Sequence, residues 1–541
     1  MIATNRNSTL DVAAALEVGA SFVDMLLAEQ QAPMAIERFA RRAADARHSS
    51  ARYRELLPLT PLEAGKQFAF TVDLDACSGC KACVTACHQL NGLQDDEAWR
   101  EVGMLIDAAA PESMSRFVTS ACHHCIDPGC LRGCPTRAYE KDPTTGIVRH
   151  LDDQCFGCQY CTMTCPYNVP QYRPSLGIVR KCDMCRQRLS AGEAPGCVQA
   201  CPNRAISISI VDVEDSLESA RKGEFLPDSP DPSLTIPTTR FRSADPERLS
   251  TLREADGMRD APQHVAGSLV AMLVATQFAV GLSAISWALS ALSPNWADAA
   301  HASTMTGAAC IGIVGVHLAL LHLGRPALAY KAWLGWRTSW LSREAIAFGV
   351  WMPIAALTAV DALGIFALGP DVRFIAGALC SIVGIASATC SAMIYAATGR
   401  PWWSALRTLS RFGLSALLLG FSFAAVAATT TDSQVAASLG FAACLTAIVK
   451  LALECEPFYA TWHSNSGRTI RRSAKLILGP FRSMWLARCA CAGAAGVLSI
   501  SSNSFFGFAT AAAMFFVGEL LERSLFFGAV VPPRMPRSIT T

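Results

Sequence analysis

Charged residues are scarce in this chain. Asp, Glu, Lys and Arg make up 17% of its 541 residues, and 46 basic residues against 44 acidic ones leave a formal net charge of +2. A nucleic-acid-binding protein needs a basic surface that displaces counterions from phosphate, and no such excess exists here. Because 51% of the residues are hydrophobic and the chain is long, we expect no nucleic-acid partner and more than one domain.

Histidine is also rare, with ten in the whole chain. Only His317 and His322 fall well inside the long apolar runs, and both belong to the same run. Two imidazoles five residues apart on a helix point to different faces, whereas a bis-histidine haem needs ligands from facing helices. The sequence therefore predicts no haem.

Composition divides the chain into four zones. Residues 1–69 are polar to amphipathic and predict a helical N-terminal extension, without the pattern of a secretory or twin-arginine signal. Residues 70–210 are rich in cysteine, and 211–262 are rich in Pro, Ser, Asp and Arg, which predicts an irregular linker. Residues 263–541 are mostly apolar.

Sixteen of the 23 cysteines lie between Cys77 and Cys201, in four groups. The groups are Cys77, Cys80, Cys83 and Cys87; Cys122, Cys125, Cys130 and Cys134; Cys155, Cys158, Cys161 and Cys165; and Cys182, Cys185, Cys197 and Cys201. The first and third groups have the C-x2-C-x2-C-x3-C spacing with which bacterial ferredoxins hold [4Fe–4S] clusters, and the last three groups end in Cys-Pro. The pattern predicts an α+β tandem ferredoxin-like domain with four [4Fe–4S] clusters.

Two other uses of these cysteines are less favoured. Zinc sites take thiolates in separated pairs, whereas here three or four thiolates crowd into a short segment. Disulfides are disfavoured because the domain is expected to face the cytoplasm. His123 and His124, inside "CHHC", are expected to shield a cluster or lie on the surface, with a direct redox role as the alternative.

The last zone breaks into eight apolar runs, each near the ~20 residues that a helix needs to cross a bilayer. The runs are 265–290, 305–323, 345–362, 374–397, 412–428, 435–453, 485–501 and 504–521. They predict an all-α bundle of eight transmembrane helices, with a buried soluble bundle as the alternative. Loops after even-numbered runs are rich in Arg and Lys, while the opposite loops carry only Arg373, so both termini and the cysteine-rich domain are expected on the cytoplasmic side of a bacterial inner membrane.

The second apolar run ends in "HLGRP", where His322 is an ionisable group at the edge of the membrane. Such a group is a candidate for function, and an imidazole both donates to a quinone oxygen and passes a proton. Gly324 allows close approach, and Glu344 starts the third run on the same side, where it would exchange protons. Arg325 and Arg343 are expected to balance its charge. The alternative is that His322 and Glu344 only cap helix ends.

Further charges lie in the later runs toward the same side. They are Lys450, Glu454, Glu456 and Glu519. We expect either that they line a proton path or that they pair with each other and extend toward the interface.

The four-group pattern, with "RKCDMC" opening the last group, resembles the iron–sulfur subunit of the dimethyl sulfoxide reductase family of molybdopterin oxidoreductases. That resemblance implies that the first and last groups exchange their fourth cysteines, as do the two middle groups. The implied ligand sets are Cys77, Cys80, Cys83 with Cys201; Cys182, Cys185, Cys197 with Cys87; Cys122, Cys125, Cys130 with Cys165; and Cys155, Cys158, Cys161 with Cys134. It also implies a large molybdopterin-containing catalytic partner.

The apolar half, through "HLGRP" and "SWLSRE", resembles the eight-span membrane anchor of the same family. The resemblance implies that His322, Gly324 and Glu344 belong to a quinol site. We interpret the chain as a fusion of the two subunits that passes electrons between membrane quinone, either menaquinone or ubiquinone, and the catalytic partner, which carries out the substrate chemistry. The alternatives are a polysulfide reductase-type anchor with a different quinone site, and a membrane scaffold whose clusters are only structural.

Overall fold

A computed structural model describes most of the chain. The described residues are 56–58, 60–107, 115–255, 260–292, 300–365, 368–462 and 468–536. The helices expected within residues 1–55 lie outside them.

The cysteine-rich domain is built on small sheets. Its strands are β1 (Lys66–Asp73), β2 (Glu101–Ile106), β3 (Ser115–Ser120), β4 (Tyr139–Lys141), β5 (Val148–His150), β6 (Gln171–Arg173), β7 (Ile178–Arg180), β8 (Ile206–Asp212), β9 (Arg240–Arg242) and β10 (Arg253–Glu254). They form two three-stranded sheets, ordered β8-β1-β9 and β10-β2-β3, and two hairpins, β4-β5 and β6-β7. The predicted α+β ferredoxin-like class is confirmed.

Short helices connect these strands and carry many of the cysteines. They are α1 (Ala82–Leu90), α2 (Gly129–Gly133), α3 (Tyr160–Thr164), α4 (Arg186–Ser190), α5 (Gly196–Gln199), α6 (Val213–Arg221) and α7 (Pro246–Thr251). Helices α1 and α3 begin in the same way, since Lys81 and Gln159 both have left-handed backbone at the N-cap. Gly79 and Gly157, two residues earlier in each loop, also have positive φ, which glycine adopts without strain. The two C-x2-C-x2-C groups therefore share the same turn before their helix.

The structure corrects the prediction of an irregular linker at 211–262. Within this segment, β9 pairs in parallel with β1 and β10 pairs antiparallel with β2, so the segment completes both three-stranded sheets. The Asp residues that suggested a loop act as helix caps, because Asp212 accepts from Glu214 N and Asp245 accepts from Arg248 N. Strands of two or three residues are too short to leave a periodic pattern. The first sheet also begins before residue 70, at Lys66.

Eight helices in the second half are long and apolar enough to cross a membrane, which confirms the predicted bundle. They are α8 (Gly267–Leu292), α9 (His301–Leu318), α10 (Trp340–Ala362), α11 (Pro370–Ala396), α12 (Ala405–Ala428), α13 (Ser433–Trp462), α15 (Arg482–Ser501) and α16 (Phe505–Gly528). The most deeply buried is α8, which packs against α9, α11, α12 and α16. Several helices extend beyond the predicted runs because charged residues at their ends interrupt the apolar pattern without ending the helix.

One helix of this half is not predicted by the apolar runs. Helix α14 (Arg468–Leu478, "RTIRRSAKLIL") lies between the sixth and seventh spans and carries several basic residues. Its apolar residues Leu476 and Ile477 are buried against the bundle. The sequence suggests only a charged loop here, because the charges hide a short amphipathic pattern.

The cysteine-rich domain docks onto one end of the bundle, at the loops after the second and fourth spans. Arg325 N donates to Phe156 O at 3.0 Å, and Gly335 N donates to Pro135 O at 2.7 Å. The hydroxyl of Tyr160 donates to Ile394 O at 2.8 Å, at the end of α11. The domain therefore covers the same end of the bundle as the positively charged loops.

Candidate functional site

The fold brings the sixteen cysteines together in four sets that mix the sequence groups. One cavity is lined by Cys77, Cys80, Cys83 and Cys201, and a second is lined by Cys122, Cys125, Cys130 and Cys165. Electrostatic interactions join the other two sets, because the thiol of Cys87 faces those of Cys185 and Cys197, and the thiol of Cys134 faces that of Cys155. Each set contains one cysteine from another sequence group.

Several of these sulfur atoms accept hydrogen bonds from the backbone. Ala138 N donates to Cys134 Sγ at 3.2 Å, and Ala205 N donates to Cys201 Sγ at 3.2 Å. Both acceptors precede a proline, which turns the chain so that the N–H group four residues later reaches the sulfur. Hydrogen bonds of this kind stabilise thiolate ligands.

Two buried cations face the thiols. Arg100 is 2% exposed, donates to Thr119 Oγ1 at 3.1 Å and lies over the ring of Phe70. Lys181 is 3% exposed, and its ammonium group lies 3.6 Å from Cys122 Sγ. Burial acts to lower the pKa of Lys181, but the neighbouring thiols outweigh it and the net pKa is raised. Such cations balance the negative charge of several thiolates in one site.

The arrangement fits clusters better than single ions. In the described part of the chain, no three His, Cys, Asp or Glu side chains lie close enough to hold one metal ion. Zinc would draw its thiolates to about 2.3 Å from a single centre. Four cysteines around a cavity, with buried cations beside them, suit a larger iron–sulfur cube.

The two histidines of "CHHC" are fully buried, so neither lies on the surface. His123 Nδ1 lies 2.9 Å from Thr239 Oγ1, and His124 Nδ1 accepts from Val148 N at 3.0 Å. Burial lowers the pKa of His123 to about 3 and that of His124 well below its usual value, so both rings are neutral. They pack beside the cysteines, in agreement with a shielding role.

A cavity of about 200 Å³ lies where the cysteine-rich domain meets the helix bundle. Cys158 and Tyr160 line it from one side, and His322, Glu344 and Tyr395 line it from the other. The rest of its wall is mostly apolar and comes from α8, α9, α10 and α11. A planar apolar ring with polar ends would therefore find hydrogen-bonding groups and a cysteine of one set in the same space.

His322 ends a short 3-10 turn that follows α9. Its Nδ1 atom is buried and has no hydrogen-bond partner among the described residues. A buried polar atom without a partner is costly, and its position on the cavity wall leaves it available to a ligand.

Glu344 lies in the first turns of α10 and is 5% exposed. Its Oε1 atom accepts a 2.5 Å hydrogen bond from Ser391 Oγ on α11. No Lys, Arg or His of the described residues forms an ion pair with this carboxyl group, so it differs from the paired acids elsewhere in the bundle. Arg343, expected to balance it, instead donates to Trp336 O and Arg337 O.

Gly324 and Arg325 do not line the cavity in the structure. Gly324 packs backbone to backbone against Gly177, and a methyl group at Gly324 would lie 2.2 Å from Gly177 O. Arg325 donates to Leu176 O and Asp152 O of the cysteine-rich domain. Both residues join the two halves of the protein beside the cavity.

The later charges form a separate buried charge network. Its members are Arg411, Lys450, Glu454, Arg488, Glu519, Glu522 and Arg523, each no more than 6% exposed. Lys450 pairs with Glu519, and Arg488 Nη2 lies 3.0 Å from Glu519 Oε1 and 3.2 Å from Glu454 Oε1. The network does not line the cavity. Glu456 lies apart, in an ion pair with Arg407.

Sequence analysis missed four members of this network. They are Arg411, Arg488, Glu522 and Arg523. Helical spacing of opposite charges within apolar runs could have revealed the network. Lys450 and Glu454 are four residues apart, and so are Glu519 and Arg523.

Comparison with known proteins finds a family match in each half of the chain. Residues 264–529 match the family model of the dimethyl sulfoxide reductase anchor subunit (DmsC), and 114–211 match that of a 4Fe-4S dicluster domain. The B subunit of anaerobic dimethyl sulfoxide reductase from Haemophilus influenzae is 35% identical over 156 residues, which cover 27% of this protein and 76% of the relative. The chain belongs to the dimethyl sulfoxide reductase family. Within that family it fuses an iron–sulfur subunit with a 4Fe-4S dicluster domain to a multi-pass membrane anchor.

Other relatives of this dimethyl sulfoxide reductase-family protein resemble its iron–sulfur half. The hydrogenase-2 operon protein HybA of Escherichia coli O157:H7 is 36% identical over 160 residues, which cover 25% of this protein and 49% of HybA. The formate dehydrogenase-O iron-sulfur subunit of Escherichia coli is 32% identical over 188 residues, 31% of this protein and 62% of that subunit. The protein thus spans about half of HybA and most of the formate dehydrogenase subunit.

Proposed function

We propose that this protein passes electrons between membrane quinone and a molybdopterin-containing catalytic subunit, through four [4Fe–4S] clusters. The observation that carries the proposal is the composition of the cavity wall. His322, Glu344 and Cys158 all line this one space, so a quinone held there would contact both proton-exchanging groups and a cluster ligand.

Each residue of the cavity has a definite task in this reaction. The unpartnered Nδ1 of His322 is free to form a hydrogen bond with one quinone oxygen. Glu344 exchanges protons with the bound quinol or quinone, because it is buried without a cation partner among the described residues. The apolar wall holds the ring and excludes water.

The four cysteine sets are the proposed cluster ligands. The sets are Cys77, Cys80, Cys83 and Cys201; Cys87, Cys182, Cys185 and Cys197; Cys122, Cys125, Cys130 and Cys165; and Cys134, Cys155, Cys158 and Cys161. When bound at these sets, each cluster would act as a one-electron carrier. Arg100 and Lys181 stabilise the added negative charge, and the set that includes Cys158 is the one nearest the cavity.

The catalytic partner and the membrane are proposed from the relatives and the loop charges. The matched relatives include the B subunit of dimethyl sulfoxide reductase and a subunit of formate dehydrogenase, so a larger catalytic subunit is expected to contact the cysteine-rich domain. The positively charged loops lie at the end of the bundle that this domain covers, which favours its location on the cytoplasmic side of a bacterial inner membrane.

The alternatives are less well supported. The anchor half matches the dimethyl sulfoxide reductase anchor family, which argues against a polysulfide reductase-type anchor. A scaffold with structural clusters would have no need of an unpartnered imidazole and a buried carboxyl group beside a cluster cysteine.

The test compares matched pairs of variants in membranes that contain the complete complex. His322→Leu and Glu344→Gln are expected to slow the reduction of the clusters by a naphthoquinol about 100-fold, the usual contribution of a positioned acid or base. His317→Leu and Glu456→Gln are the controls, since His317 bonds to Ile313 O on an exposed face and Glu456 pairs with Arg407. Equal rates in all four variants, with unchanged iron content, would refute the assignment of the cavity.

A further inference from the structure

We propose that a buried row of polar groups through α8, α9, α10 and α11 carries protons between Glu344 and the opposite end of the bundle. The inference rests on the proposed quinone reaction and extends it, because it assigns a route and a destination to the protons. Electrons and protons would then leave the cavity toward opposite faces of the membrane.

The row starts at the only hydrogen-bond partner of Glu344 in the described part of the chain, Ser391 on α11. Going away from the cavity, Ser387, Gly384, Cys380 and Gly377 follow at intervals of three or four residues, so all lie on one face of the helix. Ser391, Ser387 and Cys380 are each no more than 1% exposed. From Ser391 to Gly377 the helix rises about 21 Å, at 1.5 Å per residue.

Neighbouring helices supply polar groups along this face. Trp351 of α10 lies against Gly384, and its fully buried indole N–H faces the thiol of Cys380. Thr358 of α10 and Ser283 of α8 lie against the thiol of Cys380. Water molecules that bridge these buried polar groups would join them into a continuous row.

The row ends in a second cavity of about 330 Å³ at the far end of the bundle. His301, Thr358, Asp361, Arg373 and Gly377 help to line it. His301 Nδ1 lies 3.1 Å from Ser286 Oγ, which is 2.6 Å from Thr304 Oγ1. Asp361 accepts from Arg373 Nε at 2.6 Å. Titratable groups in a polar cavity on the far side are suited to exchange protons with that solvent.

Oxidation of quinol in the cavity releases electrons and protons in equal numbers. Oxidation of one quinol to quinone releases two electrons, which the oxidised clusters accept, and two protons, which pass one at a time through Glu344. If the protons travel along the row, each turnover moves charge across the membrane. The buried charge network of α12, α13, α15 and α16 does not line either cavity and has no place in this route.

The experiment uses the complete complex in proteoliposomes with the cysteine-rich domain outward, a lumenal pH dye and oxidised clusters. On anaerobic mixing with a naphthoquinol, we expect the lumen to acidify as the clusters are reduced. Ser387→Val and Asp361→Asn are expected to slow both events about 100-fold, as loss of a positioned proton-transfer group does. Thr389→Ala, which removes a hydroxyl from the exposed face of α11, is the matched control and should change neither.

The outcomes separate the path from the quinone reaction. Acidification outside the vesicles, with the lumen unchanged while the clusters are reduced, would overturn the path and leave the quinone site intact. Variants that fold, as shown by full iron content, and acidify the lumen at the unmodified rate would also overturn it. Failure of quinol to reduce the clusters of the unmodified complex would instead overturn the proposed function.

Discussion

Single residues decide how closely the two halves of this protein approach each other. Gly324 lies in the "HLGRP" turn, and the backbones of Gly157 and Gly177 lie directly against it. Gly157 belongs to the C-x2-C loop that carries Cys155 and Cys158. The glycines therefore let the turn that carries His322 pack against the loop that holds a proposed cluster.

We predict that Gly324→Val slows electron transfer between quinol and the clusters at least tenfold, because a side chain there must push the two halves apart. Iron content and reduction by dithionite should stay normal, since neither half loses a ligand. Gly413→Val is the control, because no atom lies within 4 Å of a methyl group at that position of α12. An unchanged rate of quinol-driven reduction would contradict the proposed role of this contact.

The sequence singled out some residues of the cavity wall and missed others. His322 and Glu344 were found because ionisable groups at the edge of an apolar run are rare. Gly324 and Arg325 have the same sequence context, yet their side of the turn faces the cysteine-rich domain. Tyr160 and Tyr395 were missed because one lies in the cysteine-rich domain and the other at the end of a span, and only the docking of the two halves brings them together.

At the scale of helices, the buried charge network joins four of the membrane spans. Arg411 is on α12, Lys450 and Glu454 are on α13, Arg488 is on α15, and Glu519 is on α16. Lys450 also donates to Ser415 Oγ of α12 at 2.6 Å. Ion pairs between helices in an apolar bundle fix the relative depth of those helices, because a shift of one turn would leave charges unpaired.

We predict that Lys450→Met destabilises the bundle by about 3–5 kcal/mol, the usual cost of leaving a buried charge without its partner. Arg407→Met, which breaks the half-exposed pair with Glu456, should cost about 0–1 kcal/mol. Thermal unfolding in detergent, followed by helix content, measures both. If the two variants lost the same stability, the network would not be what holds α12, α13 and α16 in register.

Helical elements were easier to predict than strands. The eight spans follow from apolar runs near the length of a bilayer crossing, a signal that each segment carries by itself. By contrast, β9 and β10 have only two or three residues and exist because β1 and β2 offer them free edges. Their pairing is a property of the folded domain, so the segment 211–262 could not be recognised as part of it.

At the scale of the whole molecule, one polypeptide joins elements that lie on both sides of a single cavity. Cys158 of one cysteine set lies beside the helix bundle, and the bundle presents His322 and Glu344 at the same place. Fusion of the two subunits fixes their stoichiometry at one to one. We infer that the cluster held by the Cys158 set lies beside the quinone.

Electron paramagnetic resonance of the purified complex, together with iron and sulfide analysis, detects the clusters and the proximity of one of them to the quinone. Chemical analysis should find about sixteen iron and sixteen acid-labile sulfide atoms from this protein, because each of the four proposed [4Fe–4S] clusters carries four of each. We expect four reducible components, of which one changes its line shape when a quinone analogue is added to the unmodified complex but not to the His322→Leu variant. Zinc in place of iron and sulfide would show that the cysteines hold no clusters, and four signals that all stay unchanged with the analogue would show that no cluster lies beside the quinone.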